Sequence, residues 1–184
     1  MALNLTIIDN FLPKKEFNEI YHNISLLEWR HDDNYFSNFK EDFPDYGDSS
    51  HVWYANGPLS PKDFSIFKMA LRKKLRKKVV HCETNSWTFV NSKKPIPHID
   101  YMKGKCEHQL IFFVKSDEII NGGTGFYRRN KKRADLDVHI GFKENRAILF
   151  QSKDCLHSPL LWNADSRTTG RYSAIFQLVI KDIK

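Results

Sequence analysis

The sequence predicts a mainly β fold with flanking helices, an α+β chain built around a double-stranded β-helix or jelly roll, and three observations carry that prediction. From His81 onward the chain breaks into short apolar runs with turn signals between them. No long crossover helix of the kind that parallel strands require separates those runs. Ahead of them lie two helical patterns whose apolar faces need a sheet to cover.

The chain has 184 residues, 41% hydrophobic and 14% aromatic, which suits one domain with a core of its own. With no internal repeat, low-complexity tract or linker, one domain is expected over residues 1–184. Within it, residues 1–80 read as mostly helical support and loop, and 81–184 as the jelly-roll core. No apolar run approaches the roughly 18 residues of a bilayer helix, so no membrane partner is expected. The start, MALNLTIIDNFLPKKEF, lacks the basic opening, long apolar region and cleavage site of a secretory signal. The three Cys, Cys82, Cys106 and Cys155, are odd in number and widely spaced, which argues against a disulfide framework or zinc ribbon and fits a cytoplasmic protein. The net charge of +7 permits an acidic partner. Its densest source, RKKLRKK from Arg72 to Lys78, reads as the solvated end of a helix, where cations complement the dipole.

Taken in order, Phe17, Ile20, Tyr21, Ile24 and Leu27 recur at three- and four-residue intervals, which predicts a helix of about four turns after Pro13. Residues 35–58 are rich in aromatic, Gly, Pro, Asp and Ser residues without a clear period. They read either as a packed surface loop or as a lid over a pocket. Ser60 as N-cap, Pro61 at the first position and Asp63 in the first turn then open a second helix with Phe64, Phe67, Leu71 and Leu75 on one face. The strand-like runs that follow are ETNSWTFV, PIPHIDYM, EHQLIFFV, TGFYRR, DVHIGF, RAILFQ and RYSAIFQLVI.

The chemistry-bearing residues are scattered. His98 and Asp100 in PIPHIDY are two apart, so on a strand both point to one face while Ile99 turns to the other. Two His and one carboxylate leave three positions of an octahedral ion open, an arrangement associated with non-haem Fe(II) oxygenases, and His157 in CLHSP is the candidate third ligand. An HxD triplet alone arises easily by chance in a chain with eight His. What matters is the order: HxD, a Gly-Gly strand start, a His, and an Arg entering the last strand. That Arg171 can grip a carboxylate through two parallel charge-assisted hydrogen bonds. Ser173, two residues on, shares its face.

These motifs resemble those of the Fe(II)- and 2-oxoglutarate-dependent oxygenases, and within them the prolyl 4-hydroxylase-like branch. PHIDY is similar to the first ligand pair of that branch, NGGTGFY to its Gly-Gly strand start, and CLHSP with GRYSAIFQL to its distal His and Arg-bearing strand; the likeness covers roughly residues 85 to 180. It implies that His98, Asp100 and His157 hold Fe(II), that Arg171 pairs with the distal carboxylate of 2-oxoglutarate, and that Ser173 adds a donor, as in the RxS element of related oxygenases. It further implies O2 as co-substrate, with ascorbate as an accessory reductant. The chain departs from the pattern where Phe89 stands for a common Tyr, and Phe112 and Phe113 for another. Arg171 also lies further from His157 than is usual. Arg167 is nearer that spacing but sits in a polar turn.

The expected activity is hydroxylation of an organic substrate, a peptide or small molecule, with a peptidyl proline suggested by the resemblance. Two alternatives stand beside it. One is a nucleic-acid oxygenase or demethylase, motivated by the charge and by Trp53, Tyr54 and Trp162. The other is a non-catalytic jelly-roll binding module.

Overall fold

Long runs of β-branched and aromatic residues make the C-terminal half of the chain pair with itself, and two antiparallel sheets result. The computed structural model describes residues 3–32, 52–55, 57–90, 96–116, 122–131, 133–160 and 170–183. Ten strands are present among them: β1 (Leu5–Ile8), β2 (Trp29–Asp32), β3 (Val52–Ala55), β4 (Lys77–Val90), β5 (His108–Ser116), β6 (Gly123–Asn130), β7 (Arg133–Gly141), β8 (Arg146–Gln151), β9 (Leu156–Leu160) and β10 (Arg171–Asp182). The large sheet has seven strands in the order β1-β8-β5-β10-β4-β3-β2, and the small sheet has three, β7-β6-β9. Together they form the jelly-roll arrangement that the sequence predicts. Its spine is β10, bonded along its length to β4 and over its first eight residues to β5.

Two helices cover the outer face of the large sheet. In α1 (Lys14–Asn23) and the 3-10 turn Ile24–Leu26, Phe17, Ile20 and Ile24 are buried. In α2 (Pro61–Leu75), Phe67, Ala70 and Leu71 are buried, and the backbone N–H of Asp63 donates to Ser60 Oγ at 3.1 Å, satisfying one of the orphan donors of the first turn. Arg76 ends α2 in the left-handed region at φ 54°, and basic Arg72, Lys73 and Lys74 occupy its last turn. Against these helices pack Trp87, Leu110, Phe112, Leu149, Ala174, Phe176 and Leu178 from the sheet. Phe67 is the hub of this layer, with ring centroids 4.6 Å from Phe176 and 5.0 Å from Phe112. A second core fills the space between the sheets, where Ile111, Phe113, Ile148 and Phe150 of the large sheet meet Phe126 and Ile140 of the small one.

Three expectations need correction. The N-terminal part is not only helix and loop, because it supplies β1, β2 and β3. Four residues are too few to display a period, and these short strands owe their form to pairing: β1 with β8, β3 with β4, and β2 with β3. The stretch read as irregular over 35–58 contains β3; residues 33–51 and 56, and with them the choice between loop and lid, lie outside the described residues, as do Trp162 and Arg167. Over its described residues, 96–102, PIPHIDYM is not a strand: His98 forms an isolated bridge to His157, and Met102 another to Cys106. Pro97 has no N–H to give a ladder, which keeps the contact that short.

Candidate metal centre

The site begins with that bridge. His98 N donates to His157 O at 2.9 Å and His157 N donates to His98 O at 3.0 Å. Residues that exchange both backbone bonds in an antiparallel pair send their side chains to the same face, and the two imidazole centroids lie 4.6 Å apart. Asp100, two residues past His98, adds its carboxylate there. Its Oδ2 is 3.6 Å from His98 Nε2 and 3.7 Å from His157 Nε2. One ligand atom from each of the three residues falls within 4.8 Å of the others. Ile99 turns the other way and packs against the cluster of Val90, Ile96, Tyr127, Ala134 and Leu156.

The donor set fits a divalent cation on its own chemistry. His98 Nδ1 lies 3.0 Å from Ile96 O, and His157 Nδ1 lies 3.2 Å from Cys155 O. A carbonyl oxygen only accepts, so each Nδ1 carries a proton; Nε2 of neutral His157 presents a lone pair to the shared space, and Nε2 of His98 does so once a cation displaces its proton. Burial works against protonation of His98, but the Asp100 carboxylate outweighs it and holds its pKa above the ordinary value. His157 is pushed down to about 4 by burial and then by the charge on His98, so it stays neutral. Burial opposes ionisation of Asp100, yet the two imidazoles hold it well below the usual carboxylate range. An ionised carboxylate thus sits beside two imidazoles, with the Phe126 and Phe150 ring centroids 6.3 and 5.0 Å from His157.

Arg171 enters from β10. It is 2% exposed, and among the described residues no carboxylate pairs with it. Its Nη1 donates to Gly123 O and, at 3.5 Å, to Thr124 Oγ1, while its guanidinium lies over the Phe113 ring at 4.9 Å. Its Nε has no partner, and neither has Oγ of the fully buried Ser173. Burial drops the guanidinium to about 9, a measure of how poorly its charge is compensated. Position 123 itself requires glycine: with φ 148° and Ile140 O only 2.1 Å from where a Cβ would stand, no other residue fits.

His98, Asp100 and His157 are thus brought together, with Arg171 and Ser173 on β10 of the other sheet. Of the phenylalanines standing where a Tyr is common, Phe113 lies under Arg171, whereas Phe89 packs on the helix side against Trp29 and Tyr172. Sequence reasoning missed Gln109, whose Nε2 donates to Asp100 Oδ2 at 3.0 Å, and Thr124. The available signal for Gln109 was a lone polar residue opening the apolar run LIFFV.

Fold and cluster together define a class: a double-stranded β-helix carrying a buried His–Asp–His set. No protein-family model matches the sequence, and no curated protein matches it. Solved structures do share the fold. HygX from Streptomyces hygroscopicus, solved with nickel, 2-oxoglutarate and hygromycin B, matches with a TM-score of 0.57 at 9% identity over 95% of this chain and 82% of that one. A Trichoplax adhaerens prolyl hydroxylase in complex with a hypoxia inducible factor peptide fragment matches at 0.52 and 12% over the same shares. A Pseudomonas putida prolyl-4-hydroxylase matches at 0.51 and 9% over 96% of this chain and 92% of that chain. At these identities the likeness is one of fold. Among the described residues, no helix is long and apolar enough to cross a membrane.

Proposed function

We propose that this chain is a non-haem Fe(II)- and 2-oxoglutarate-dependent dioxygenase that hydroxylates an organic substrate. The observation that carries the reading is a buried guanidinium with no carboxylate partner among the described residues, together with a His–Asp–His cluster whose Asp100 is ionised. A cation completes the second, and a dicarboxylate with one end on that cation completes the first. His98 Nε2, Asp100 Oδ2 and His157 Nε2 would hold the iron. Arg171 would bind the distal carboxylate through its free Nε edge, with Ser173 Oγ donating alongside. Phe113 supplies a π face beneath the guanidinium where a phenol would otherwise donate. When bound, Fe(II) and 2-oxoglutarate supply the oxidation: O2 is consumed, the keto acid leaves as succinate and CO2, and one oxygen atom ends on a substrate C–H as hydroxyl. The protein's part is to orient these groups and exclude water, through the Phe126 and Phe150 walls.

The substrate we infer is a peptide or small molecule. The fold relatives solved with a peptide and with hygromycin B support both, and a peptidyl proline is the first to try. Residues 1–184 act as one domain on this reading. Three cysteines without a disulfide support a cytoplasmic setting, where ascorbate could serve as reductant.

The test is anaerobic titration of metal-free protein with Fe(II) and 2-oxoglutarate, following the weak visible metal-to-ligand charge-transfer band. The expected result is a band in wild type that is absent from His98→Ala. No band in either protein overturns the proposal.

A further inference from the structure

On this reading of the centre, one more residue has a role there. We propose that Gln109 is a positioning residue, which fixes the rotation of the Asp100 carboxylate so that Oδ2 faces the cation. The torsion that turns a carboxylate about its Cβ–Cγ bond is broad and soft, so backbone placement alone leaves its oxygens loose. Oδ2, the oxygen nearest both imidazoles, accepts from Gln109 Nε2 at 3.0 Å. Among the described residues this is the one hydrogen bond to Asp100 that comes from outside the cluster. An oxygen with two lone pairs can take one bond from the amide and keep the other for a metal.

The environment of Gln109 shows that it serves the site rather than the fold. It is 1% exposed, on β5, opposite Gln177 of β10 and Phe150 of β8. Its Oε1 is buried with no partner. A position that mattered only for packing would be better filled by an apolar residue, since an unsatisfied buried acceptor is unfavourable. The amide is also neutral. It holds the carboxylate without adding a charge that would alter the balance of the centre.

The experiment is Mn(II) titration, by calorimetry and by loss of the free-ion electron paramagnetic resonance signal, in wild type, Gln109→Leu, Gln109→Asn and His157→Ala. Gln109→Leu is expected to bind Mn(II) about 10- to 100-fold more weakly, the usual effect of losing a hydrogen bond to a ligating carboxylate, while its metal-free Tm is not lowered. Gln109→Asn keeps the amide on a shorter stem that falls short of Asp100, and should weaken binding alike. Should Gln109→Leu fail to fold, Gln109→Met, similar in volume to glutamine, takes its place. Wild-type affinity in the Leu or Met variant, with binding lost in His157→Ala, overturns this inference alone. Wild-type affinity in His157→Ala overturns the metal centre and this inference with it.

Discussion

On one face of β10, Ala174, Phe176 and Leu178 join Phe67, Phe112 and the buried residues of both helices in one hydrophobic cluster. On the other face Arg171 and Ser173 are just as deeply buried, yet among the described residues Arg171 Nε and Ser173 Oγ have no partner. The backbone is the same and the period-two alternation of a strand separates the two chemistries. The outer face stabilises the fold, each buried Phe contributing about 2–3 kcal/mol. The inner face holds polar groups whose desolvation is uncompensated until something binds. Stability and binding capacity are therefore divided between faces of a single strand.

The largest expected effect breaks the outer face. Phe67→Ala should destabilise the protein by about 3–5 kcal/mol in urea unfolding, because four aromatic neighbours border the cavity it leaves. The next tests the inner face with the opposite sign. Arg171→Met removes a buried charge that no carboxylate offsets among the described residues and should raise the stability of the ligand-free protein by on the order of 1–3 kcal/mol, while abolishing the thermal shift that the proposed function expects of wild type with 2-oxoglutarate. A loss of stability comparable to that of Phe67→Ala would show that Arg171 serves the fold, and the contrast between faces would collapse. The smallest effect calibrates what a satisfied charge contributes. Asp9 accepts from Arg146 at 2.7 Å and from Lys143 at 2.6 Å, and those bonds hold its carboxyl near 2. Its pKa in the folded state lies below the unfolded value of about 3.9, so its contribution is complete above that value and fades as pH falls toward 2. Discounted for partial exposure, Asp9→Asn should cost about 1 kcal/mol at neutral pH, with the gap to wild type closing in acid.

Much of this contrast was legible in the residues. The helix of Phe64, Phe67 and Leu71 announces its apolar face, and Ser60-Pro61 announces its start, because spacing and capping are local. His98, Asp100, His157 and Arg171 were legible as types suited to one chemistry. Their closeness was not, since it depends on a two-bond bridge that Pro97 keeps from growing into a strand. Gln109 was hidden for a different reason. In the run QLIFFV both faces of β5 are buried, so alternation is lost and nothing local says which side looks at Asp100. The strands β1, β2 and β3 were missed because their partners, not their own residues, decide them.

The bridge between His98 and His157 acts as a ruler cut from peptide geometry. Two residues that exchange both backbone bonds hold their Cα atoms about 5.5 Å apart whatever surrounds them, so the gap between the imidazoles is set by main chain. Such a ruler cannot be retuned by nearby side chains to prefer one first-row ion over its neighbours. Discrimination then passes to supply, and for a divalent ion at this cluster the expected occupancy in a mixture follows the ions' intrinsic affinities, copper and nickel ahead of iron.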